Sequence, residues 1–168
     1  VIYQDKLRLV SSGYSYYSQF RYICTWTDPT LTEAGSWTTL DIGSNNTWNQ
    51  SEVFDDMIYM LSASGDGRSC RTYDGTTFDT GISLPTSYGG QPATSVSFGG
   101  KIHLIGVSFS NAFNRHLKFD GTNWTIMNTT PCNMNGSTAV VFKNRIYVLG
   151  NSTESEKLKL YRWKGLEV

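Results

Sequence analysis

The sequence predicts an all-β fold that repeats one small antiparallel sheet, and two recurring patterns carry this prediction. The first pattern is an aromatic residue, two turn-forming or charged residues and a short apolar run. It occupies residues 3–10 (YQDKLRLV), 54–61 (FDDMIYML), 98–105 (FGGKIHLI) and 142–149 (FKNRIYVL). Measured from Asp5, Asp56, Gly100 and Asn144, the steps are 51, 44 and 44 residues. A period of about 45–50 residues is typical of β-propeller blades, each a four-stranded sheet.

The second pattern is a turn signal that runs in phase with the first. It occupies residues 73–78 (YDGTTF), 119–124 (FDGTNW) and 163–168 (WKGLEV). Asp-Gly between aromatic residues predicts a hairpin with a type I′ turn. In the first repeat, the insertion TDPTLTEAGS at 27–36 takes the place of this turn. Together, the two patterns predict a meander of strands a, b, c and d in each repeat.

The strands can be placed most clearly in the third repeat, at 93–98, 101–106, 115–119 and 123–127. The a–b turns are predicted at Asp55-Asp56, Gly99-Gly100 and Lys143-Asn144. No window has a sustained helical period, so no substantial helix is expected. The predicted domain is a single β-propeller segment over 1–168, with about four blades at 1–42, 46–84, 91–130 and 135–168. We expect it to belong to a longer polypeptide with a larger propeller, because the last blade is incomplete.

Composition narrows the classes of partner. The formal net charge is zero, which argues against nucleic acid or an anionic membrane as the main partner. No run approaches the roughly 18–20 apolar residues of a membrane span. Charged residues make up only 17% of the chain and aromatic residues 14%, as suits strands with aromatic cross-strand pairs.

The residues capable of chemistry occupy scaffold positions in the repeat. His103 aligns with Arg8, Tyr59 and Tyr147 in strand b. His116 aligns with Ile23, Cys70 and Leu160 in strand c. The sequence therefore predicts structural histidines, no catalytic residue, no metal site and no cofactor. The three cysteines lack metal-binding spacing, so free thiols that act as small apolar residues are expected at Cys24, Cys70 and Cys132.

Two long stretches resemble blades of the Kelch type. They are YDGTTFDTGISLPTSYGGQPATSVSFGGKIHLIG at 73–106 and FDGTNWTIMNTTPCNMNGSTAVVFKNRIYVLG at 119–150. The usual paired glycines after strand b appear here as single ones, at Gly13, Gly65, Gly106 and Gly150. This Asp-Gly-Thr-x-aromatic form is similar to degenerate Kelch-like arrays in bacteriophage tail proteins and in surface proteins of Gram-positive bacteria. The resemblance implies a propeller fold and says much less about activity.

The meander predicts two ends with different loops. The a–b and c–d turns are tight, whereas the b–c and d–a connections are long, and Met134 is placed in one of the latter. The predicted b–c loops are 11–19, 62–69, 106–114 and 150–156. Rings among Ser and Asn suit stacking on sugars or packing on protein. The candidate binding residues on this long-loop face are Tyr14, Tyr16, Tyr17, Asp66, Arg68, Phe109 and Asn111.

These features predict a non-enzymatic binding or structural module of a phage tail or another virion appendage. Its expected partners are other virion or surface proteins and a host-surface glycan, within a larger chain or an oligomer. Its expected location is the virion. The alternative is a secreted or cell-surface adhesin propeller, and an enzyme is the third hypothesis. Genomic neighbours or the rest of the polypeptide would separate the first two.

Overall fold

The computed structural model describes fifteen strands in two compact units, Val1–Ser83 and Leu84–Val168. The described residues are 2–3, 6–14, 19–26, 37–41, 48–62, 70–79, 92–109, 112–130, 133–151 and 158–163. Within these ranges there is no helix, and therefore none that could cross a membrane. The predicted all-β fold of antiparallel sheets is confirmed.

The first unit contains two four-stranded sheets. The first sheet is formed by β1 (Ile2–Tyr3), β2 (Lys6–Tyr14), β3 (Gln19–Trp26) and β4 (Trp37–Asp41). The second sheet is formed by β5 (Trp48–Phe54), β6 (Met57–Ser62), β7 (Cys70–Tyr73) and β8 (Phe78–Asp79). Each strand pairs with its sequence neighbour, as in a meander. Cys70 is a free thiol and is buried beside Leu61, as expected of an apolar cysteine.

The second unit contains a four-stranded and a three-stranded sheet, again as meanders. The four-stranded sheet is formed by β9 (Thr94–Ser97), β10 (Ile102–Phe109), β11 (Ala112–Phe119) and β12 (Trp124–Ile126). The three-stranded sheet is formed by β13 (Thr138–Phe142), β14 (Arg145–Asn151) and β15 (Leu158–Arg162). We call them the third sheet and the last sheet.

The two-residue turns join strands a and b. All their central residues have positive φ, between 46° and 64°: Asp55, Asp56, Gly99, Gly100, Lys143 and Asn144. Positive φ at both central positions defines the type I′ turn, whose twist matches that of the flanking strands. In the third sheet, Phe98 and Lys101 exchange two backbone hydrogen bonds of 2.8 and 3.1 Å across the turn. These hairpins lie where the sequence places them.

The Asp-Gly turns between strands c and d are wider than predicted. Strand pairing stops at Tyr73 and Phe78, which leaves a four-residue turn rather than a type I′ pair. Asp74 Oδ1 accepts hydrogen bonds from the backbone N–H groups of Thr76 and Thr77, at 2.8 and 2.7 Å. The carboxylate therefore organises the turn, and positive φ is needed only at Gly75 (102°). The prediction of a type I′ turn at this position is wrong.

The predicted loop at 106–114 is largely strand. Strands β10 and β11 run to Phe109 and from Ala112, because the glycine taken as the end of strand b forms a β-bulge. Gly106 has φ of +69° and no cross-strand partner, and the register shifts on either side of Val107. A bulge absorbs one residue and lets pairing continue. The loop at 11–19 is likewise shorter, since β2 ends at Tyr14 and β3 begins at Gln19.

The core of the second unit lies between its two sheets. It joins Val96 and Ile105 of the third sheet to Ile146 and Val148 of the last sheet, with Met134 between them. Met134 lies in the connection between β12 and β13, as predicted, but its side chain is only 1% exposed and belongs to the core. A side chain on Gly106 would stand 2.7 Å from Met134 Cβ, and one on Gly150 would stand 3.0 Å from Met134 Sδ. The single glycines of two successive repeats thus make room for one methionine.

Candidate binding surface

The last sheet has one buried and one exposed face. Alternation along its strands places Ile146 and Val148 on the buried face. Residues that pair across neighbouring strands lie on the same face of a sheet, so the partners of Tyr147 and Leu149 belong with them to the exposed face. This set, here called the open face, comprises Thr138, Val140, Phe142, Arg145, Tyr147, Leu149, Leu160 and Arg162.

The open face is apolar and exposed. Val140, Phe142 and Leu160 keep 58%, 57% and 66% of their surface exposed, and Leu149 also lies open. Strands β13, β14 and β15 pair directly, so these side chains form one continuous patch. Single exposed apolar residues are ordinary on a protein surface, but a contiguous patch marks a contact surface.

An aromatic pair and basic residues border the apolar patch. The ring centroids of Phe142 and Tyr147 are 6.3 Å apart with an interplanar angle of 60°. The Lys143 ammonium group lies 5.4 Å from the centroid of Phe142, within cation–π range. Arg162 is exposed and lies opposite Tyr147. The surface therefore combines aliphatic area with positive charge.

The equivalent face of the third sheet is buried. With Gly100 equivalent to Asn144, Val96 corresponds to Val140, and Ile105 corresponds to Leu149. The same offset makes His103 equivalent to Tyr147 and His116 equivalent to Leu160. Strand register supports this alignment, because Ile105 pairs with His116 as Leu149 pairs with Leu160. The residues of this face that lie opposite the last sheet belong to the shared core.

The two histidines on that buried face form a hydrogen-bonded pair. His103 Nδ1 lies 2.9 Å from His116 Nε2, so the N–H of one ring donates a hydrogen bond to the other ring nitrogen. Burial lowers the pKa of both imidazoles to about 4, and the charges of Lys118 and Lys101 near His103 act in the same direction. The pair is therefore neutral at pH 7.

Trp163 closes over the histidine pair from the residue after β15. Its ring meets His103 edge-on at 5.2 Å and His116 at 5.6 Å between centroids. Its ring also meets Phe98 edge-on at 6.4 Å. The imidazoles contribute to packing and lie beneath aromatic rings rather than facing solvent, which agrees with the structural role expected from the sequence.

The aspartates of the two described c–d turns accept hydrogen bonds from backbone N–H groups of the same turns. The Thr77 N–H, followed by that of Thr76, lowers the pKa of Asp74. Asp120 accepts from the N–H groups of Asn123 and Thr122 at 2.8 and 2.9 Å, and its pKa is lowered for the same reason. Within the described ranges, no three His, Cys, Asp or Glu residues are placed to hold a metal ion.

The structure locates two of the predicted binding residues by their backbone. Tyr14 ends strand β2 opposite Gln19, and Phe109 ends strand β10 opposite Ala112. Both were expected in loops and are strand residues, since the strands extend further than predicted. The remaining candidates lie outside the described residues: Tyr16, Tyr17, Asp66, Arg68 and Asn111. A binding role for this set stays a prediction.

Sequence reasoning missed the open face. The segments TAVVF at 138–142 and LKLYR at 158–162 carry apolar residues at alternating positions, which is a usable signal for a strand face. The third repeat carries a similar alternation, and there the corresponding residues Val96 and Ile105 are buried. The pattern therefore indicates a face that can be covered, and only the structure shows which one is exposed.

Comparison with known proteins yields structural likenesses and no match by sequence. No family model matches the sequence, and no curated protein matches it. The chain is similar to a solved neuraminidase-like protein from A/bat/Guatemala/164/2009, with 19% sequence identity and a TM-score of 0.43. The match covers 91% of this chain and 55% of that one. A TM-score this low carries no conclusion about activity.

Proposed function

We propose that this chain is a non-enzymatic binding or structural module of a phage tail or another virion appendage, built as a segment of a Kelch-like propeller. The observation that carries the proposal is the open face. Val140, Phe142 and Leu160 together offer an aliphatic and aromatic surface of the kind that proteins bury against each other. A module that works through contact requires such a surface.

The use of the polar side chains supports a binding role rather than a catalytic one. His103 and His116 bond to each other beneath Trp163, and Asp74 and Asp120 organise turns. A catalytic group needs a reacting atom within hydrogen-bond reach in an accessible site. These four side chains instead serve the scaffold.

The proposed partners are a neighbouring virion protein and a host-surface glycan, and the proposed location is the virion. Aliphatic side chains on a sheet suit a protein partner, whereas tyrosines such as Tyr16 and Tyr17 suit stacking on sugar rings. A rigid scaffold keeps the entropic cost of binding low, and many copies on one particle would multiply weak contacts.

The first experiment locates the protein. Particles from the source culture are purified on a density gradient, and an antibody raised against the 168-residue chain is applied to the particle and cell-envelope fractions. The proposal predicts signal in the particle fraction. Signal confined to the envelope would overturn it in favour of an adhesin. Turnover of fluorogenic glycosides by the purified chain, a sialoside included, would contradict the non-enzymatic role.

A second experiment tests the predicted long-loop residues. We expect Tyr16→Ala with Tyr17→Ala to weaken attachment of the fluorescently labelled chain to host cells, as measured by flow cytometry. Asp55→Asn, in the a–b turn of the second sheet, serves as the control, because asparagine tolerates positive φ. Equal attachment by both variants would remove these tyrosines from the binding site. Circular dichroism and thermal unfolding would confirm that each variant is folded.

A further inference from the structure

Asn135 and Gly136 form the only Asn-Gly pair in the sequence, and they lie at the centre of a turn. The Ser137 N–H donates a hydrogen bond to the Met134 carbonyl oxygen at 3.0 Å, and Gly136 has φ of +70°. Positive φ at the third residue of a turn and not at the second defines a type II turn, which favours glycine there. Both central residues are exposed, so water reaches this turn freely.

The two groups of this pair that can react with each other have no other partner. The Asn135 N–H donates to Asn133 Oδ1 at 2.9 Å. Among the residues that the structure describes, neither the Asn135 side-chain amide nor the Gly136 N–H takes part in a hydrogen bond. The amide is therefore free to rotate, and the N–H is open to removal of its proton.

An asparagine side chain can be attacked by the backbone nitrogen of the residue that follows it. Hydroxide removes the proton from Gly136 N, and this nitrogen forms a bond to Asn135 Cγ. The bond from Cγ to the amide nitrogen breaks, and ammonia leaves with a proton from water. Water then opens the resulting succinimide ring at one of its two carbonyl groups. The product is aspartate or, when the main chain comes to pass through Cγ, isoaspartate.

Gly136 permits the rotation that this attack requires. Turning the peptide plane between Asn135 and Gly136 converts a type II turn into a type I turn and reverses the sign of φ at the third residue. Glycine adopts both signs at little cost. A Cβ added at Gly136 would meet nothing within 4 Å, so no neighbour opposes the movement. The rotation carries the Gly136 nitrogen past Asn135 Cγ.

The described Asp-Gly pairs lack this freedom. Asp74 and Asp120 precede glycines too, but each carboxylate accepts two backbone N–H hydrogen bonds of between 2.7 and 2.9 Å. These bonds hold the side chains in place and keep the carboxylates ionised. A negatively charged carboxylate repels an anionic nitrogen, whereas the amide of Asn135 is neutral. The structure thus distinguishes Asn135 from the two aspartates.

We infer that Asn135 is a site of spontaneous deamidation through a succinimide, and that the product loosens the packing of Met134 between the third and last sheets. Met134 is 1% exposed and belongs to the core that both sheets share. It is also the first residue of the reacting turn, where its carbonyl oxygen accepts the hydrogen bond from Ser137. Isoaspartate adds a carbon atom to the main chain of this turn and a negative charge beside it. The inference concerns the lifetime of the folded chain and does not depend on the partner it binds.

Peptide mapping of the purified, folded chain during long incubation tests the reaction. Electron-transfer fragmentation should show Asn135 lost to a mixture of isoaspartate and aspartate, faster than the other described asparagines and in proportion to hydroxide concentration. In heavy-oxygen water, each product should take up one heavy oxygen atom. Aspartate without isoaspartate would indicate direct hydrolysis of the amide and overturn the inference. Faster loss of another described asparagine would overturn it as well.

Urea unfolding of fresh and aged protein tests the effect on the core. Aged wild-type chain should unfold at a lower urea midpoint than fresh chain. Asn135→Gln is the matched control, because the longer side chain disfavours ring closure, and its midpoint should not change with age. An unchanged midpoint after full conversion of the wild-type chain would overturn the effect on Met134 packing.

Freshly prepared Asn135→Asp separates the two changes that isoaspartate introduces, since it carries the charge without the longer main chain. Its midpoint should fall less than that of the aged wild-type chain. An equal fall would overturn the role of the lengthened turn. Circular dichroism would verify that both variants are folded before ageing begins.

Discussion

The third and last sheets place equivalent residues in opposite environments. Val96 is 7% exposed, whereas Val140, the same residue type one period later, is 58% exposed. The strand pairings around the two positions correspond, because Val96 lies opposite His103 and Val140 lies opposite Tyr147. The difference comes from the neighbour and not from the strand, since one face is covered by a sheet and the other lies open. Three mutational comparisons test this contrast.

The largest effect is expected at the equivalent glycines Gly106 and Gly150. In Gly106→Ala the new Cβ would stand 2.7 Å from Met134 Cβ and 2.8 Å from Ala93 Cβ, on a backbone with φ of +69°. Overpacking and left-handed strain together should lower the free energy of unfolding by roughly 2–6 kcal/mol, as measured by urea denaturation.

Gly150→Ala is the matched control for this effect. Its Cβ would stand 3.0 Å from Met134 Sδ, at the flexible end of that side chain, and 3.2 Å from Ser137 Cβ. Because the backbone at Gly150 does not have positive φ, the loss should be only roughly 1–2 kcal/mol. Equal losses in the two variants would show that Met134 does not occupy the space that Gly106 leaves.

The second effect is a pH dependence carried by the buried histidine pair. The folded pKa of His103 and His116 is about 4, below the ordinary 6.5, so the unfolded chain takes up protons first as the pH falls. Their contribution to stability is therefore complete above pH 6.5 and is lost between about pH 6.5 and pH 4. The slope should approach about 1.4 kcal/mol per pH unit for each histidine, as measured by urea unfolding across that window.

A double substitution that copies two residues of the last sheet tests whether the histidines cause this pH dependence. His103→Tyr with His116→Leu installs the residues found at the equivalent positions, Tyr147 and Leu160. The swapped chain should lose the dependence between pH 4 and pH 6.5. Asp74 and Asp120, whose folded pKa values are lowered, lose their contribution to stability only below about pH 5, so the two chains are compared between about pH 5 and pH 6.5. An unchanged slope would assign the pH dependence to other groups.

The smallest effect compares the two valines directly. Val96→Ala removes buried methyl groups from the core and should cost roughly 1–3 kcal/mol. Val140→Ala should change the free energy of unfolding by less than about 0.5 kcal/mol in dilute, monomeric protein. A comparable loss in both variants would mean that the open face is covered within the single chain. Thermal and urea unfolding at low concentration supply the measurement.

The sequence by itself determined the repeating strands, because apolar alternation and turn residues are local signals. Local signals predicted the a–b hairpin at Lys143-Asn144 and the buried thiol of Cys70. They also predicted that His103 and His116 occupy scaffold positions. Each depends on residues within a few positions or on the period of the repeat. Local chemistry suffices for such features.

Tertiary structure decided what the local pattern leaves open. Gly106 could end a strand or form a bulge, and the choice depends on Met134, which lies 28 residues further along the chain and fills the space above the glycine. The Asp-Gly turns widen because Asp74 bonds to the backbone beyond the glycine. Alternation likewise marks two faces on every sheet without stating which is covered. Val96 and Val140 are the same residue type at equivalent positions of two repeats. Val96 is buried because the adjacent sheet packs on it, whereas Val140 stays exposed.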